Sequence, residues 1–97
     1  MTRHVVLLKF TEKGITGIQQ SPDRAAAFRA QVEKAGGKVE AQFWTIGPYD
    51  GAVVFTAPDE TTAAALVLGL GKTDSVTTCM LRALDAREFQ DVLRKLS

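Results

Sequence analysis

Gly47-Pro48-Tyr49-Asp50-Gly51 sits between two apolar runs, Ala41-Gln42-Phe43-Trp44-Thr45-Ile46 and Ala52-Val53-Val54-Phe55. Two short apolar runs joined by such turn residues predict a β-hairpin at the middle of the chain. Pro48 suits the first central position of a turn because its φ is preset, whereas Asp50-Gly51 alone suggests a two-residue type I′ loop with Gly51 at positive φ. Both readings keep the hairpin and set the Tyr49 hydroxyl beside the Asp50 carboxylate at its tip.

Upstream, His4 to Phe10 is a β-branched and apolar run of strand length, and Thr11 to Gln20, interrupted by Gly14 and Gly17, reads as a loop. Ser21-Pro22-Asp23 is a helix start, with Ser21 as cap, Pro22 at the first helical position and Asp23 at the positive end of the dipole. Ala25, Phe28, Val32 and Ala35 form its buried stripe, and Gly36-Gly37 stop it. The hairpin strands run from Lys38 to Ile46 and from Gly51 to Ala57. Pro58-Asp59-Glu60 then opens a second helix through Ala63, Leu66, Val67 and Leu70, and Ser75 to Ala83 forms a fourth strand. Asp85 and Glu88 have the spacing of a capping box before the stripe Phe89, Val92, Leu93 and Leu96 of a last helix.

The order is βαββαβ plus a terminal helix, the ferredoxin-like α+β arrangement with a four-stranded antiparallel sheet and two crossover helices on one face. The first strand carries His4, Val6, Leu8 and Phe10 on one side and Val5 and Leu7 on the other, so both faces are apolar. The uncovered face predicts a second copy as its lid, which makes a dimeric α/β barrel. A single domain over residues 1–97 buries only roughly 64% of its unfolded surface, and association is one way to bury more.

A net charge of +1, from 12 basic and 11 acidic residues without a dense basic run, argues against nucleic acid. Lys9 breaks the first apolar run too early for a signal core or a membrane span, so the expected location is cytoplasmic. The lone Cys79 has no disulfide partner in the chain and is expected to be a buried, inert thiol. Gly71-Lys72-Thr73 is not a phosphate loop, because the motif needs a glycine where Leu66 stands. With one His and one Cys on separate strands and no dinucleotide fingerprint, neither a metal nor a cofactor is expected.

Gly47-Pro48-Tyr49-Asp50, with Ala57-Pro58-Asp59 after the following strand, resembles the signature of the GYD-domain family, and the similarity extends from Val5-Val6-Leu7-Leu8-Lys9-Phe10 to Leu81-Arg82-Ala83-Leu84. The resemblance implies a ferredoxin-like, dimeric α/β-barrel fold and no particular reaction, the family being functionally uncharacterised. Gly51 and Ala52 depart from the bulkier residues usual after the motif. The opening strand is also similar to that of the stress-responsive α/β-barrel proteins, in which the residue matching His4 faces the barrel interior; some of those relatives cyclise or bind small hydrophobic molecules. That analogy points His4 into a cavity.

The candidate catalytic residues are therefore His4 as acid or base, Tyr49 as hydrogen-bond donor and Asp50 as its orienting carboxylate. Trp44 is a candidate aromatic wall for a ligand, on one strand face with Gln42 and Ile46 in the inter-sheet space or dimer seam, and Arg82 is a candidate holder of a carboxylate. Two functions fit: a small, mostly apolar organic molecule bound in a pocket, with or without cofactor-free acid/base chemistry, or a non-catalytic interaction module whose sheet face serves oligomerisation.

Overall fold

The computed structural model describes residues 1–96. Strands β1 (Thr2–Phe10), β2 (Lys38–Trp44), β3 (Gly51–Ala57) and β4 (Val76–Ala83) form one sheet in the order β2-β3-β1-β4, each neighbouring pair antiparallel. Helices α2 (Ser21–Lys34) and α3 (Glu60–Lys72) are the crossovers, with a short α1 (Glu12–Thr16) before α2 and α4 (Ala86–Lys95) at the end. This is the ferredoxin-like α+β fold.

The stretch expected to be a loop, Thr11 to Gln20, folds into α1 and a single 3₁₀ turn, Ile18–Gln20. Thr11 caps α1 by accepting the Gly14 N–H, and Gly14 lies so close to the Ser75 carbonyl that a Cβ there would sit 2.0 Å from its oxygen. Ser21 is not a cap: it is already helical, and its hydroxyl accepts a bond from Trp44 Nε1 at 2.9 Å. Gly36, at φ 91°, ends α2 with the paired bonds of a Schellman motif, Gly36 N–H to the Glu33 carbonyl and Gly37 N–H to the Val32 carbonyl. Asp59 caps α3, and Asp85 and Glu88 form the reciprocal capping box of α4.

The helices cover the face carrying His4, Val6, Val53, Phe55 and Ala57, where Phe28 and Val32 of α2 and Ala63 and Val67 of α3 complete the core. Phe28 meets Phe55 edge-on at 5.5 Å. In β2 the register slips at Glu40, between Val39 opposite Phe55 and Ala41 opposite Val54. A bulge of one residue reverses which side chains face which way, so Val39, Gln42 and Trp44 share the helix-covered face and Ala41 and Phe43 the other. The expected inter-sheet position of Gln42 and Trp44 is corrected by that slip. Ile46 belongs to neither face; it lies beyond the strand, fully exposed.

The opposite face carries Val5, Leu7, Ala41, Phe43, Ala52, Val54, Cys79 and Leu81, and among the described residues the helical core residues pack on the other side. Cys79 is exposed there, contrary to the buried position expected for it. Helix α4 also lacks a cover: Glu88 in its first turn meets Arg82 and Arg3, but its apolar stripe lies open, and Phe89, Val92, Leu93 and Leu96 keep between 46% and 75% of their exposure. The radius of gyration, 14.5 Å, exceeds the about 12.5 Å of a compact chain of this length for that reason.

Two glycine substitutions separate the close approaches from the open positions. A Cβ at Gly37 would lie 2.0 Å from the Thr56 carbonyl oxygen, whereas one at Gly69, inside α3, would meet nothing within 4 Å. In urea titration Gly37→Ala is expected to lose about 2 kcal/mol or more and Gly69→Ala to gain about 0.5–1 kcal/mol. A neutral Gly37→Ala would mean that the α2–β2 connection is looser than described.

Candidate functional site

Near the C-terminal end of β1 the sheet and the two crossover helices part, leaving a cavity of about 130 Å³. That is close to the roughly 150 Å³ that accommodates a benzene molecule in an engineered core cavity. Its lining includes apolar Leu8, Phe28 and Leu70 and polar Arg24, Gln42 and Asp50. Trp44 forms one wall, fixed by its bond to Ser21. Gln42 Nε2 donates to the Ala25 carbonyl at 3.1 Å and its oxygen accepts from Arg29, which ties β2 to α2 across the cavity.

Asp50 reaches the cavity because the hairpin loop is longer than a two-residue turn. Residues 45–50 bridge the strands, Gly47 rather than Gly51 takes positive φ, and Gly51 is already in β3. The type I′ turn at Asp50-Gly51 is therefore corrected. The loop closes through Thr45 N–H to the Asp50 carbonyl and Thr45 Oγ1 to the Tyr49 carbonyl, at 2.9 Å and 2.7 Å. Asp50 N–H then donates to the Leu8 carbonyl at 2.7 Å, and Phe10 N–H donates to Asp50 Oδ2 at 2.8 Å. The carboxylate thus extends the β1–β3 ladder past its last pair, Leu8 with Gly51.

Of the five residues singled out from sequence, only Trp44 and Asp50 line this cavity. Tyr49 stands at the hairpin tip, outside the lining. His4 is four residues from Leu8 along β1, about 13 Å at the rise of a strand, so no acid/base set of His4, Tyr49 and Asp50 is assembled. His4 also lies on the helix-covered face, 2% exposed and stacked on Phe55 at 5.5 Å, not on the open face that a barrel interior would need. Its Nε2 pairs with Thr2 Oγ1 at 2.8 Å and its Nδ1 is buried without a partner.

Arg82 is neighbour to His4 across the β1–β4 pair but is occupied by Glu60 at 3.1 Å and Glu88 at 3.4 Å. Arg3 grips Glu40 through two bonds of 2.6 Å and 3.2 Å, holding the Glu40 carboxyl below its usual range. Arg24 and Gln42 are among the polar cavity residues not singled out from sequence as ligand contacts. Arg24 precedes Phe28 by four positions, the helical spacing that puts both on one face, and that spacing is the available signal.

These features describe a ferredoxin-like α+β domain with one apolar sheet face and one helix left unpartnered. The GYD domain matches residues 4–93, and the chain belongs to the GYD-domain family. A curated relative from Thermus thermophilus is 33% identical over 90 residues, spanning 92% of this chain and 95% of the relative, and is named glutamine synthetase and cystathionine beta-lyase binding protein. No helix among the described residues is long and apolar enough to cross a membrane.

Two substitutions test what Asp50 and His4 do for the fold. Asp50→Ala is expected to cost about 1 kcal/mol more than Asp50→Asn in denaturant titration, because only Asn retains an acceptor for the Phe10 N–H. Equal costs would remove that bond from the account. Burial, and secondarily the nearby Arg82, lower the His4 pKa from 6.5. Above that value the imidazole is neutral in both states; as pH falls through it the unfolded chain takes the proton first, so stability falls. The unfolding midpoint should accordingly begin to drop as pH falls through about 6.5, and a His4→Leu variant should lack that part of the drop. A flat wild-type profile would show His4 to be solvated.

Proposed function

We propose that this chain is an assembly and protein-interaction module, with a second copy of itself covering the open sheet face as a dimeric α/β barrel. The observation that carries this is α4, whose apolar stripe lies exposed although Asp85 and Glu88 cap its first turn reciprocally. A ten-residue helix is marginal in water by itself, so a lasting helix here needs a lasting cover. The apolar side chains of the open face need one too, and a second copy supplies both.

Protein partners beyond the second copy fit the same function, since the relative is named for binding two metabolic enzymes. A cytoplasmic location goes with it. The cavity supports a further element, a bound small organic molecule with a mostly apolar body. With His4 and Tyr49 away from the cavity, binding without acid/base chemistry is the form we favour.

Light scattering at micromolar concentration should report twice the chain mass for the wild type. Val54→Lys on the open face and Leu93→Lys on α4 should each shift the population toward the monomer, by burying a charge in an apolar seam. A wild type that stays monomeric, with unfolding independent of concentration, would contradict the proposal. Glutamine synthetase and cystathionine beta-lyase from the same source, immobilised in turn, should retain the dimer; retention of neither would confine the module to self-assembly.

A further inference from the structure

We infer that the cavity between the sheet and the crossover helices is a site for a free α-amino acid with an apolar side chain, a conclusion that rests on the cavity's being a small-molecule site. Three observations converge. The cavity, with Leu8, Phe28 and Leu70 in its lining, offers a volume of about 130 Å³, enough for an aliphatic or thioether side chain. The lining carries both signs of charge, Asp50 from the hairpin loop and Arg24 from α2, whose guanidinium stands where the cavity meets the groove beside Gly17 and Gln20. Both groups also have bonding capacity to spare.

Arg24 has five N–H donors, and its acceptors, the Gly17 carbonyl and Gln20 Oε1, are each 3.4 Å away, longer than a well-made bond. Its guanidinium can therefore take a carboxylate in the paired geometry that the two planar groups share. Asp50 spends Oδ2 on the Phe10 N–H and leaves Oδ1 without a protein donor among the described residues, so an ammonium can be met there. A guanidinium and a carboxylate on the edge of one apolar pocket complement a zwitterion better than a fatty acid or an amine alone. Each of those would leave one edge charge facing an uncharged part of its ligand.

The chain's single tryptophan, Trp44, walls the cavity and gives the readout. The intact protein is titrated, with Trp44 fluorescence recorded, with L-leucine, L-methionine, 3-methylbutanoate, 3-methylbutylamine and 3-methylbutan-1-ol. Saturable binding of leucine or methionine, at least about tenfold tighter than of the acid or the amine, is expected. Arg24→Gln and Asp50→Asn should each remove about that preference. Gly69→Leu should abolish binding with the circular dichroism spectrum unchanged, because Gly69 lines the cavity with open space at its Cβ. Gly71→Leu, equally free of neighbours but outside the lining, should bind as the wild type does.

If the alcohol, the acid or the amine binds as well as leucine, the amino-acid assignment falls while the cavity remains a small-molecule site. If no probe binds, both fall.

Discussion

The core of this chain and its uncovered surfaces follow from a sheet that is apolar on both faces and owns helices for only one of them. Val5, Leu7, Val54 and Leu81 project from the face that α2 and α3 leave bare, while His4, Val6, Val53 and Phe55 are sealed beneath those helices. The terminal helix does not relieve the imbalance. Its first turn is anchored at the β1–β4 side through Glu88 with Arg82, and the rest carries a second exposed stripe away from the body. Ion pairs this exposed hold little energy, about 0–1 kcal/mol each, so they orient α4 without stabilising it as a packed helix would be stabilised.

The cavity has a separate origin in the bulge at Glu40. Had β2 run without the slip, alternation from Val39 would have turned Ala41 and Phe43 toward the helices and Gln42 and Trp44 away from them. The extra residue exchanges the two pairs. Gln42 then bonds to α2, Trp44 bonds to Ser21, and the six-residue loop beyond them returns with Asp50 against β1. A bulge that displaces Glu40 is itself steadied by Arg3, which holds both carboxylate oxygens.

What is legible in the sequence is what local chemistry decides. The Asp59 cap, the Asp85–Glu88 box, the Gly36-Gly37 stop and the βαββαβ order each depend on residues within a few positions of one another. The bulge is not legible, because it is set by the pairing of β2 with β3, and the Arg3 that meets Glu40 stands thirty-seven positions away. The same limit explains Ser21, whose hydroxyl is claimed by Trp44 rather than by its own helix, and the hairpin loop, where Gly47 takes the positive φ that Asp50-Gly51 suggests for Gly51. Of the candidate site, Trp44 and Asp50 are found by type and spacing. Arg24 escapes notice because a charged residue beside an apolar stripe is ordinarily a solvated one. His4 falls on the face opposite to the one the stress-responsive analogy implies, and nothing in a strand with two apolar faces says which one the helices will take.

The central claim, that α4 and the bare sheet face exist to be covered by another copy, is tested most directly by hydrogen exchange of the α4 amides at two protein concentrations. Amides from Phe89 to Lys95 should be strongly protected at high concentration and should lose that protection together with the β4 edge on dilution. Exchange of those amides near the free-peptide rate at the high concentration would contradict it, since a helix this short with its apolar stripe in water has nothing else to hold it.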